Sequence, residues 1–262
     1  YVYAWLLECY GAITPESPIV DGLRQYLIVR KQGEDWGNRV ITSNIVAAMI
    51  NSGTPWTVTA GKVTLNIDGT TSVAGQTDKL GQFTVPVRGN DLTLTRAEAV
   101  TPAYGALITR YTAPSADIKA YSDGEISIEK RLMVQNADGT WRNFNPAADS
   151  LRVGETVKTL LTVKADRPMS RVVVTDERAA TLVPVSQLSG WIYGDGLSGY
   201  RENRASTTNI YLDYVPKGTW LLEYSFRVNN AGTFNTGVAT ATCSQAPTLT
   251  AHSSGYTLSV AR

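Results

Sequence analysis

The spacing of apolar residues divides the chain into a helical first part and a strand-rich remainder. Over residues 1–52 the apolar positions recur with the period of an α-helix, and from about residue 53 they alternate with polar positions. The opening stretch YVYAWLLECYGAI is apolar around its whole circumference. A helix of this kind needs neighbours on every side. Because few neighbours follow, we expect Val2, Trp5 and Leu6 to be unusually exposed or covered by another molecule.

Two further helices are predicted before the period changes. Ser17 can cap the first amides of the second helix, and Pro18 suits its first position. Its apolar face is predicted to carry Ile19, Leu23, Tyr26 and Leu27, and its end Arg30, Lys31 and Gly33. A third helix follows Trp36, with Ile41, Ile45, Ala48 and Met49 at helical spacing. Three short helices cannot bury the first one completely, so we interpret residues 1–52 as the tail of a larger helical domain.

Residues 53–113 are predicted to form short strands. The stretch KVTLNIDG places Val63, Leu65 and Ile67 on one face and ends at Asp68-Gly69, a pair typical of β-hairpins. Further alternating positions are Phe83, Val85 and Val87 in QFTVPV, and Leu92 and Leu94 in DLTLT. The polar, turn-rich residues 114–125 are interpreted as a linker to the next unit.

Residues 126–262 carry the clearest strand pattern. In WLLEYSFRV, one face is formed by Trp220, Leu222, Tyr224, Phe226 and Val228. Other single faces are formed by Val157, Thr159, Leu161 and Val163, and by Tyr256, Leu258 and Val260. NADGTW and VPKGTW have turn chemistry. The predicted fold class is multidomain α+β: a short α-helical segment followed by mainly β modules that end in an antiparallel, two-sheet β-sandwich.

Composition narrows the classes of partner. The chain has 262 residues, 43% of them apolar, with 24 Lys and Arg against 23 Asp and Glu. No charge run would gather nucleic acid or anionic lipid, so we expect no nucleic-acid partner. No stretch approaches the length of a transmembrane span, and no leader peptide opens the chain. Because the chain starts on Tyr1, we interpret it as a processed or excised piece.

The motifs that suggest chemistry lack the context that the chemistry needs. GDGLSG at 194–199 matches a dinucleotide-binding pattern, but no helical pattern follows it, so a loop is predicted. Cys243 and His252 are the residue types of a thiol nucleophile and its base. Since Cys243 ends a strand of small residues and Pro247 follows, we favour a structural cysteine and an exposed loop histidine. A bridge from Cys243 to Cys9 stays open, but two reduced thiols are favoured.

Acidic and aromatic residues give no enzyme signature either. Asp176 and Glu177 are adjacent on a predicted strand and must point to opposite faces, and Asp166 stands apart from them. We interpret all three as surface charges rather than as an acid pair for glycoside cleavage. The 13 Tyr and 6 Trp could form a carbohydrate or peptide platform, although both types are ordinary in sandwich cores. No catalytic residue, cofactor or metal site is predicted.

Several stretches resemble the C-terminal part of bacterial alpha-2-macroglobulin family proteins. GETVKTLLTVKADRPMSRVVVTDERAATLVPVSQLSGW and NIYLDYVPKGTWLLEYSFRVNNAGTFNTGVATATCSQAP are similar to the terminal macroglobulin-like domain. AWLLECYGAI and VDGLRQYLIVRKQGEDWG resemble the last helices of the thioester-type α/α toroid. The resemblance assigns residues 1–52 to that toroid, 53–113 to the second half of a CUB-type β-domain, 114–125 to a linker and 126–262 to the C-terminal sandwich.

The resemblance implies a protease trap. It implies a periplasmic, extracellular or envelope protein, whose parent is a candidate lipoprotein, in which cleavage of a bait region triggers a rearrangement that confines the protease. This chain would contribute contacts with other domains of the parent rather than chemistry, and target proteases would be partners of the parent. The family's thioester motif, Cys-x-Glu-Gln, matches neither CYGA at Cys9 nor CSQA at Cys243.

The resemblance also singles out the loop CSQAP. In many bacterial relatives Met-Tyr stands ahead of a proline turn there and keeps water from the thioester. The corresponding residues here are Ser244 and Gln245, flanked by Cys243, Ala246 and Pro247. A short hydroxyl and an amide make a poor apolar lid. The expectation is that the protein lacks a functional thioester or shields it differently, the alternative being that both are ordinary loop residues.

Two other classes stay open. A secreted carbohydrate-binding or adhesion module is the second hypothesis, and an exposed aromatic row on one sheet would favour it. A polysaccharide lyase fragment is the third, because lyases also join an α/α toroid to β-sandwiches. That hypothesis needs a Tyr, His, Asn and Arg cluster in the toroid, whereas the single histidine, His252, lies near the C-terminus.

Overall fold

The computed structural model describes residues 1–33, 36–52, 63–74, 84–96, 107–194 and 196–262. The chain divides into two compact units, residues 1–27 with 37–110 and residues 28–36 with 111–262. Among the residues described, three helices precede a series of mainly antiparallel strands. The predicted fold class is therefore confirmed.

The three helices begin and end close to the predicted signals. They are α1 (Val2–Ile13), α2 (Pro18–Gly33) and α3 (Arg39–Asn51). The Ser17 hydroxyl accepts a hydrogen bond from the Ile19 amide at 3.4 Å, and the Asn38 side chain accepts one from the Ile41 amide at 3.0 Å. Both satisfy amides that a helix start leaves without an intrahelical partner.

The first helix is buried on one side only. Ala4 and Leu7 are buried, whereas Val2 and Trp5 are each 67% exposed and Leu6 is also exposed. A Cβ on Gly11 would come within 2.7 Å of the Ser52 Cβ, so glycine permits this close approach to the end of α3. The predicted exposure of the apolar helix face is confirmed.

The apolar face predicted for α2 is displaced. Val20 and Leu27 are the buried residues, while Ile19 and Tyr26 are exposed. Tyr26 instead contacts the ring of Tyr3 at a centroid distance of 4.6 Å. Of the predicted face, Leu27 is therefore buried and Leu23 half-buried, while Val20 is buried in place of its neighbour Ile19. On α3, the buried residues are the predicted Ile45, Ala48 and Met49.

A three-stranded antiparallel sheet lies in the first unit. Its strands are β1 (Val63–Ile67), β2 (Thr71–Ala74) and β3 (Leu92–Arg96), in the order β2-β1-β3. Asp68 and Gly69 have φ values of 50° and 71° and form the predicted hairpin turn. The Asp68 carboxylate accepts hydrogen bonds at 2.9 Å from the amides of Asn90 and Asp91.

Two expectations for this sheet need correction. Residues 84–90 form no strand, although Val85 and Val87 are half-buried, and Phe83 lies outside the described residues. Pro86 lacks an amide hydrogen for a sheet ladder. Leu94 pairs with the buried Leu65 but is itself 66% exposed. In the part described, β3 pairs with β1 alone, so the sheet has an open edge at β3.

The second unit is built from strands. They are β4 (Tyr121–Ser122), β5 (Ile126–Gln135), β6 (Trp141–Asn143), β7 (Leu151–Arg152), β8 (Thr156–Ala165), β9 (Met169–Glu177), β10 (Leu182–Pro184), β11 (Gly190–Gly194), β12 (Leu197–Asn203), β13 (Thr207–Val215), β14 (Gly218–Val228), β15 (Gly232–Asn235), β16 (Ala239–Cys243), β17 (Thr250–His252) and β18 (Thr257–Ala261). Tyr121 and Ser122 of the predicted linker thus form β4, which pairs with β17.

One sheet faces two others across the sandwich. The five-stranded sheet has the order β10-β14-β8-β5-β6, and it is covered by a seven-stranded sheet, β11-β12-β13-β9-β16-β17-β4, and by a three-stranded sheet, β15-β18-β7. Two apolar clusters fill the interior, one beneath each covering sheet. The predicted inward faces of β8 and β14 are confirmed, with Val157, Leu161 and Phe226 fully buried.

Candidate functional site

The loop between β16 and β17 holds the residues that the sequence resemblance singled out. The Ser244 amide donates to the Arg171 carbonyl at 2.9 Å, which fixes the loop to β9. Within the loop, the Ala246 amide donates to the Cys243 carbonyl at 3.1 Å and the Leu249 amide to the Ala246 carbonyl at 2.8 Å. Backbone hydrogen bonds therefore determine the conformation of this loop.

The loop exposes polar groups and buries small apolar ones. Cys243 and Ala246 are buried, Gln245 is half-buried, and Ser244 and Pro247 are exposed. Its outward face therefore presents the hydroxyl of Ser244 beside a proline ring. No large apolar side chain stands at either of the two positions where the resemblance expects Met-Tyr.

Arg171, which anchors the loop, has a left-handed backbone conformation. Its φ of 57° is rare for a residue with a side chain and costs of order 1–2 kcal/mol. It interrupts the regular pairing of β9 with β13, where Val172 and Ser170 are paired but Arg171 is not. The irregularity turns the Arg171 carbonyl towards the loop amide.

Cys243 and His252 are not brought together. His252 lies opposite Thr240 in the pairing of β16 with β17, three residues from Cys243 along β16. That separation is about 10 Å and places the two side chains on opposite faces of the sheet. Cys243 is fully buried, with its sulfur 3.4 Å from the Ser170 carbonyl. Neither cysteine forms a disulfide.

His252 is not the exposed loop residue that the sequence suggested. It ends β17 and is half-buried, with its ring stacked on Tyr121 at a centroid distance of 5.7 Å. Its Nδ1 lies 3.2 Å from the carbonyl of Ser253. His252 is partly covered because the short strand β4 pairs with β17 at the edge of the sheet, where the sequence had suggested a loop.

GDGLSG joins two strands, as the missing helical pattern predicted. Gly194 ends β11 and pairs with Leu197 at the start of β12. Asp195 lies outside the described residues. Because a strand follows, no helix N-terminus is available to hold a pyrophosphate.

The interpretation of Asp176 as a surface charge was wrong. Its side chain is 1% exposed, and its Oδ1 lies 2.7 Å from the ammonium of Lys130, which is 4% exposed. The Tyr224 hydroxyl donates to Oδ2 at 2.6 Å. Lys130 also donates hydrogen bonds to the carbonyls of Glu177 and Thr236. By contrast, Glu177 is exposed, and Asp166 forms an exposed pair with Lys164.

Strand periodicity contained a signal for this pair that the sequence reasoning missed. Asp176 continues the inward series of Val172 and Val174 on β9. Lys130 stands between the inward residues Ile128 and Leu132 on β5. Two opposite charges at apolar positions of the pattern predict an ion pair inside the sandwich.

Burial and the charge of Asp176 shift the pKa values of both Tyr224 and Arg178. Burial, with the neighbouring Asp176 carboxylate, raises the pKa of Tyr224 well above its ordinary value. Burial lowers the pKa of Arg178, while Asp176 acts in the opposite direction. Tyr224 therefore stays protonated and acts as a hydrogen-bond donor rather than as a base.

A second surface feature is an exposed row of aromatic rings on the seven-stranded sheet. Trp191 pairs with Tyr200, and Tyr200 pairs with Tyr211 on the next strand. Trp191 is 60% exposed and Tyr193 76% exposed. The rings of Trp191 and Tyr200 meet edge to face at 5.8 Å. We call these four residues the aromatic row; they are not the core residues that composition suggested.

Metal-binding clusters and membrane-spanning helices are both absent from the part of the chain that the structure describes. The described residues contain no group of three or more His, Cys, Asp or Glu side chains placed to hold a metal ion. No helix among them is long and apolar enough to cross a membrane.

Comparison with one solved structure shows the fold. The structure of Escherichia coli alpha-2-macroglobulin activated by porcine elastase is similar with a TM-score of 0.52 and 16% identity, over 99% of this chain and 23% of that one. Salmonella alpha-2-macroglobulin reacted with methylamine gives a TM-score of 0.46 and 18% identity, over 99% and 17%. A native E. coli structure from domain MG7 to the C-terminus gives 0.47 and 16%, over 99% and 42%.

The chain thus spans less than half the length of each of these relatives. No curated protein sequence matches it significantly. The family model for the bacterial alpha-2-macroglobulin MG10 domain matches residues 126–248, which include the loop from Cys243 to Pro247. Residues 126–248 therefore carry a bacterial alpha-2-macroglobulin MG10 domain, as the sequence resemblance predicted for this part of the chain.

Proposed function

We propose that this chain is the C-terminal, non-catalytic portion of a bacterial alpha-2-macroglobulin-like endopeptidase inhibitor. The observation that carries the proposal is the match of residues 126–248 to the MG10 domain. Two features support a role in contacts rather than in chemistry. Cys243 and His252 lie on opposite faces of a sheet, and the buried Asp176 is engaged by Lys130 and Tyr224.

The domain assignments follow as part of the same proposal. Residues 1–52 are the last helices of a thioester-type α/α toroid, which the exposed apolar face of α1 supports. Residues 53–113 are the second half of a CUB-type β-domain, which the open edge of the three-stranded sheet supports. Residues 114–125 link this part to the sandwich at 126–262. The remaining parts of the toroid and of the CUB-type domain would then contact this chain within the full-length protein.

A trapping assay on the full-length protein tests the proposed function. The protein is incubated with porcine elastase, the protease that activates the E. coli relative. A trap confines the protease but leaves its active site open, so we expect lost cleavage of a protein substrate and retained cleavage of a small peptide substrate. Equal cleavage of both substrates with and without the protein would reject the trap. Equal loss of both would indicate an active-site inhibitor instead.

The loop at Ser244 and Gln245 adds a proposal about the thioester. We infer that the parent lacks a functional thioester or shields it by other residues, because Ser244 is exposed and neither side chain is apolar. Mass spectrometry of the full-length protein after methylamine treatment tests this. No incorporation supports the inference, as does a thioester that reacts only after elastase treatment. A Cys-x-Glu-Gln motif that incorporates methylamine rapidly in the untreated protein contradicts it.

The parent is proposed to act in the periplasm, the cell envelope or outside the cell, with a lipoprotein anchor as one form of attachment. Proteases that threaten a bacterium arrive from outside, so a trap is useful only there. Fractionation of cells by osmotic shock, with the chain detected by antibody, tests the location. Recovery with the cytoplasmic fraction would contradict the proposal.

The aromatic row favours a second candidate function, a carbohydrate-binding or adhesion module. Exposed rings on three adjacent strands offer flat apolar faces, to which the faces of sugar rings can stack. Tyr211 and Asn209 also donate to the Glu202 carboxylate at 2.9 and 3.2 Å, which holds polar groups beside the rings.

Binding of the chain to insoluble chitin tests this second function. The replacement Trp191→Ala should abolish retention if the aromatic row binds the polysaccharide. Leu221→Ala is the matched control, because Leu221 is an exposed apolar residue on the outer face of β14. Retention that is absent in the unmodified chain, or equal in both variants, would reject the glycan-binding function and leave the trap unaffected.

A further inference from the structure

A cleft opens in the sandwich between β10, β12 and β14. Its volume is about 220 Å³, and its polar lining consists of Ser186, Arg201, Asn203, Tyr224 and Ser225. Pockets for cofactors and drug-sized ligands have volumes of ~300–1,000 Å³. The cleft therefore suits a group of about the size of an amino-acid side chain.

Arg201 lines this cleft, and one edge of its guanidinium has few partners among the described residues. Its Nε is buried and has no hydrogen-bond partner among the described residues. Its Nη2 makes a single long contact, 3.4 Å from the Ser186 hydroxyl. Nε and Nη2 form the side of the guanidinium that can donate two parallel hydrogen bonds to the two oxygens of one carboxylate.

Two of the neighbouring polar side chains, those of Asn203 and Tyr224, are already engaged. The side-chain amide of Asn203 donates to the carbonyls of Ser186 and Leu188 at 2.9 and 3.3 Å. The Tyr224 hydroxyl donates to Asp176. Arg201 is therefore the charged donor that the cleft offers to a ligand.

The local charge balance also favours an anion. Tyr224 feels the charges of Asp176, Arg178 and Arg201, and Lys130 lies against Asp176 at 2.7 Å. The Asp176 carboxylate is thus surrounded by three cations, Lys130, Arg178 and Arg201. Because it is paired with Lys130, it does not act as the counter-ion of Arg201. Arg178 donates to the carbonyls of the β12–β13 turn, which carry no charge. A desolvated cation without a counter-ion is costly, so the site should attract negative charge.

We propose that this cleft binds a carboxylate, held by Nε and Nη2 of Arg201. The carboxylate has two sources: an acidic side chain from a part of the full-length protein outside this chain, or a free carboxylate in solution. The site is independent of the aromatic row and of the loop at Ser244.

Acetate titration followed by the Arg201 Nε–H signal in ¹H–¹⁵N NMR tests the site. Arg201→Lys identifies the signal by its loss, and the Nε–H of the exposed Arg227 on β14 is the internal control. We expect a saturable shift at Arg201 with acetate, and none with chloride at the same ionic strength. No shift at Arg201, or equal shifts at both arginines, would overturn the proposal.

The melting temperature distinguishes the two sources. If an acidic side chain fills the cleft, Arg201→Gln lowers the melting temperature of the full-length protein more than that of this chain. If the ligand is a free carboxylate, the two decreases are equal and acetate raises the melting temperature of both unmodified proteins. Equal decreases without any response to acetate would again overturn the proposal. Arg227→Gln, which removes a charge from the outer face, should change neither.

Discussion

Lys130 and Tyr224 occupy inward positions of the five-stranded sheet, at the level where its cover changes from the seven-stranded to the three-stranded sheet. Ile128 belongs to one apolar cluster and Leu132 to the other, and Lys130 stands between them. At this junction the carbonyls of Glu177 and Thr236 need a donor, which the Lys130 ammonium supplies. The Lys130 ammonium thus joins the buried Asp176 carboxylate to two backbone carbonyls at this junction.

Removing one charge of this pair should destabilise the sandwich strongly. Lys130→Met leaves the Asp176 carboxylate buried without its cation, which typically costs about 3–5 kcal/mol. Adding Asp176→Leu should recover much of the loss, because no charge then remains buried. The measurement is the free energy of unfolding in urea.

The neighbouring residue supplies the control for that experiment. Arg131 forms an exposed pair with Glu129, so Arg131→Met should change the unfolding free energy little. A Lys130→Met variant as stable as Arg131→Met would contradict the assigned role of the buried pair.

Glu202 should make the stability of the folded chain depend on pH in the acid range. Hydrogen bonds from Arg204, then Asn209 and Tyr211, lower the pKa of Glu202 from 4.5 to about 2. A depressed pKa in the folded state means that the contribution to stability is complete above about pH 4.5 and is lost as the pH falls towards 2. NMR titration of the Glu202 carboxyl carbon should show this pKa.

Arg204→Gln should raise that pKa back towards the ordinary value, since Arg204 is the largest cause of the shift. In Glu202→Gln, the acid-dependent loss of stability from this site should disappear. A Glu202 that titrates near 4.5 in the unmodified chain would show that the three hydrogen bonds do not form in solution.

At the scale of elements, the turn between β15 and β16 depends on Gly237. Its φ is 66°, and a Cβ there would lie 2.4 Å from the Glu177 Cβ on β9. The adjacent Thr236 supplies one of the carbonyls that Lys130 binds. A side chain at this position would therefore displace the turn from the junction of the covering sheets.

Two glycine replacements distinguish the cost of an unfavourable backbone conformation from the cost of a steric clash. Gly139 also has a positive φ, 85°, but no atom lies within 4 Å of the Cβ position. Gly139→Ala should therefore cost about 1 kcal/mol from backbone conformation alone. Gly237→Ala should cost clearly more, measured as the free energy of unfolding in urea. Equal losses for the two variants would contradict the close approach of Gly237 to β9.

Elements governed by local periodicity were predictable from the sequence, whereas positions set by tertiary contacts were not. The inward faces of β8 and β14 and the turn at Asp68-Gly69 followed from alternation and turn chemistry. The exposure of Leu94 could not be predicted, because it depends on which strands cover the sheet edge. The buried state of Asp176 was predictable from its inward position, but its residue type was weighed above that position.

In the candidate site, too, the features that depend on strand pairing could not be predicted from the sequence. The separation of Cys243 from His252 follows from strand geometry once the pairing is known, but the pairing joins segments that the sequence alone does not align. The aromatic row arises because Trp191, Tyr200 and Tyr211 fall in register on three strands. Composition counted the rings but could not place them on one face.

At the scale of the whole molecule, the first unit has surfaces that are suited to neighbours. The exposed apolar face of α1 and the open edge of the three-stranded sheet both lie there. Burying Val2 and Trp5 against another domain would stabilise an assembly by roughly 25 cal/mol for each Å² of apolar surface. These surfaces support the proposed role of the chain in contacts within a larger inhibitor.

Hydrogen exchange measured by mass spectrometry on the full-length protein, before and after porcine elastase, tests that central claim most directly. The account predicts that α1 and the loop at residues 244–249 change their protection when the protease acts, because their contacts with other domains are rearranged. The core strands β8 and β14 should keep theirs, because the sandwich moves as a unit. Unchanged exchange in α1 and in the loop, with elastase fully active towards protein substrates, would contradict the account.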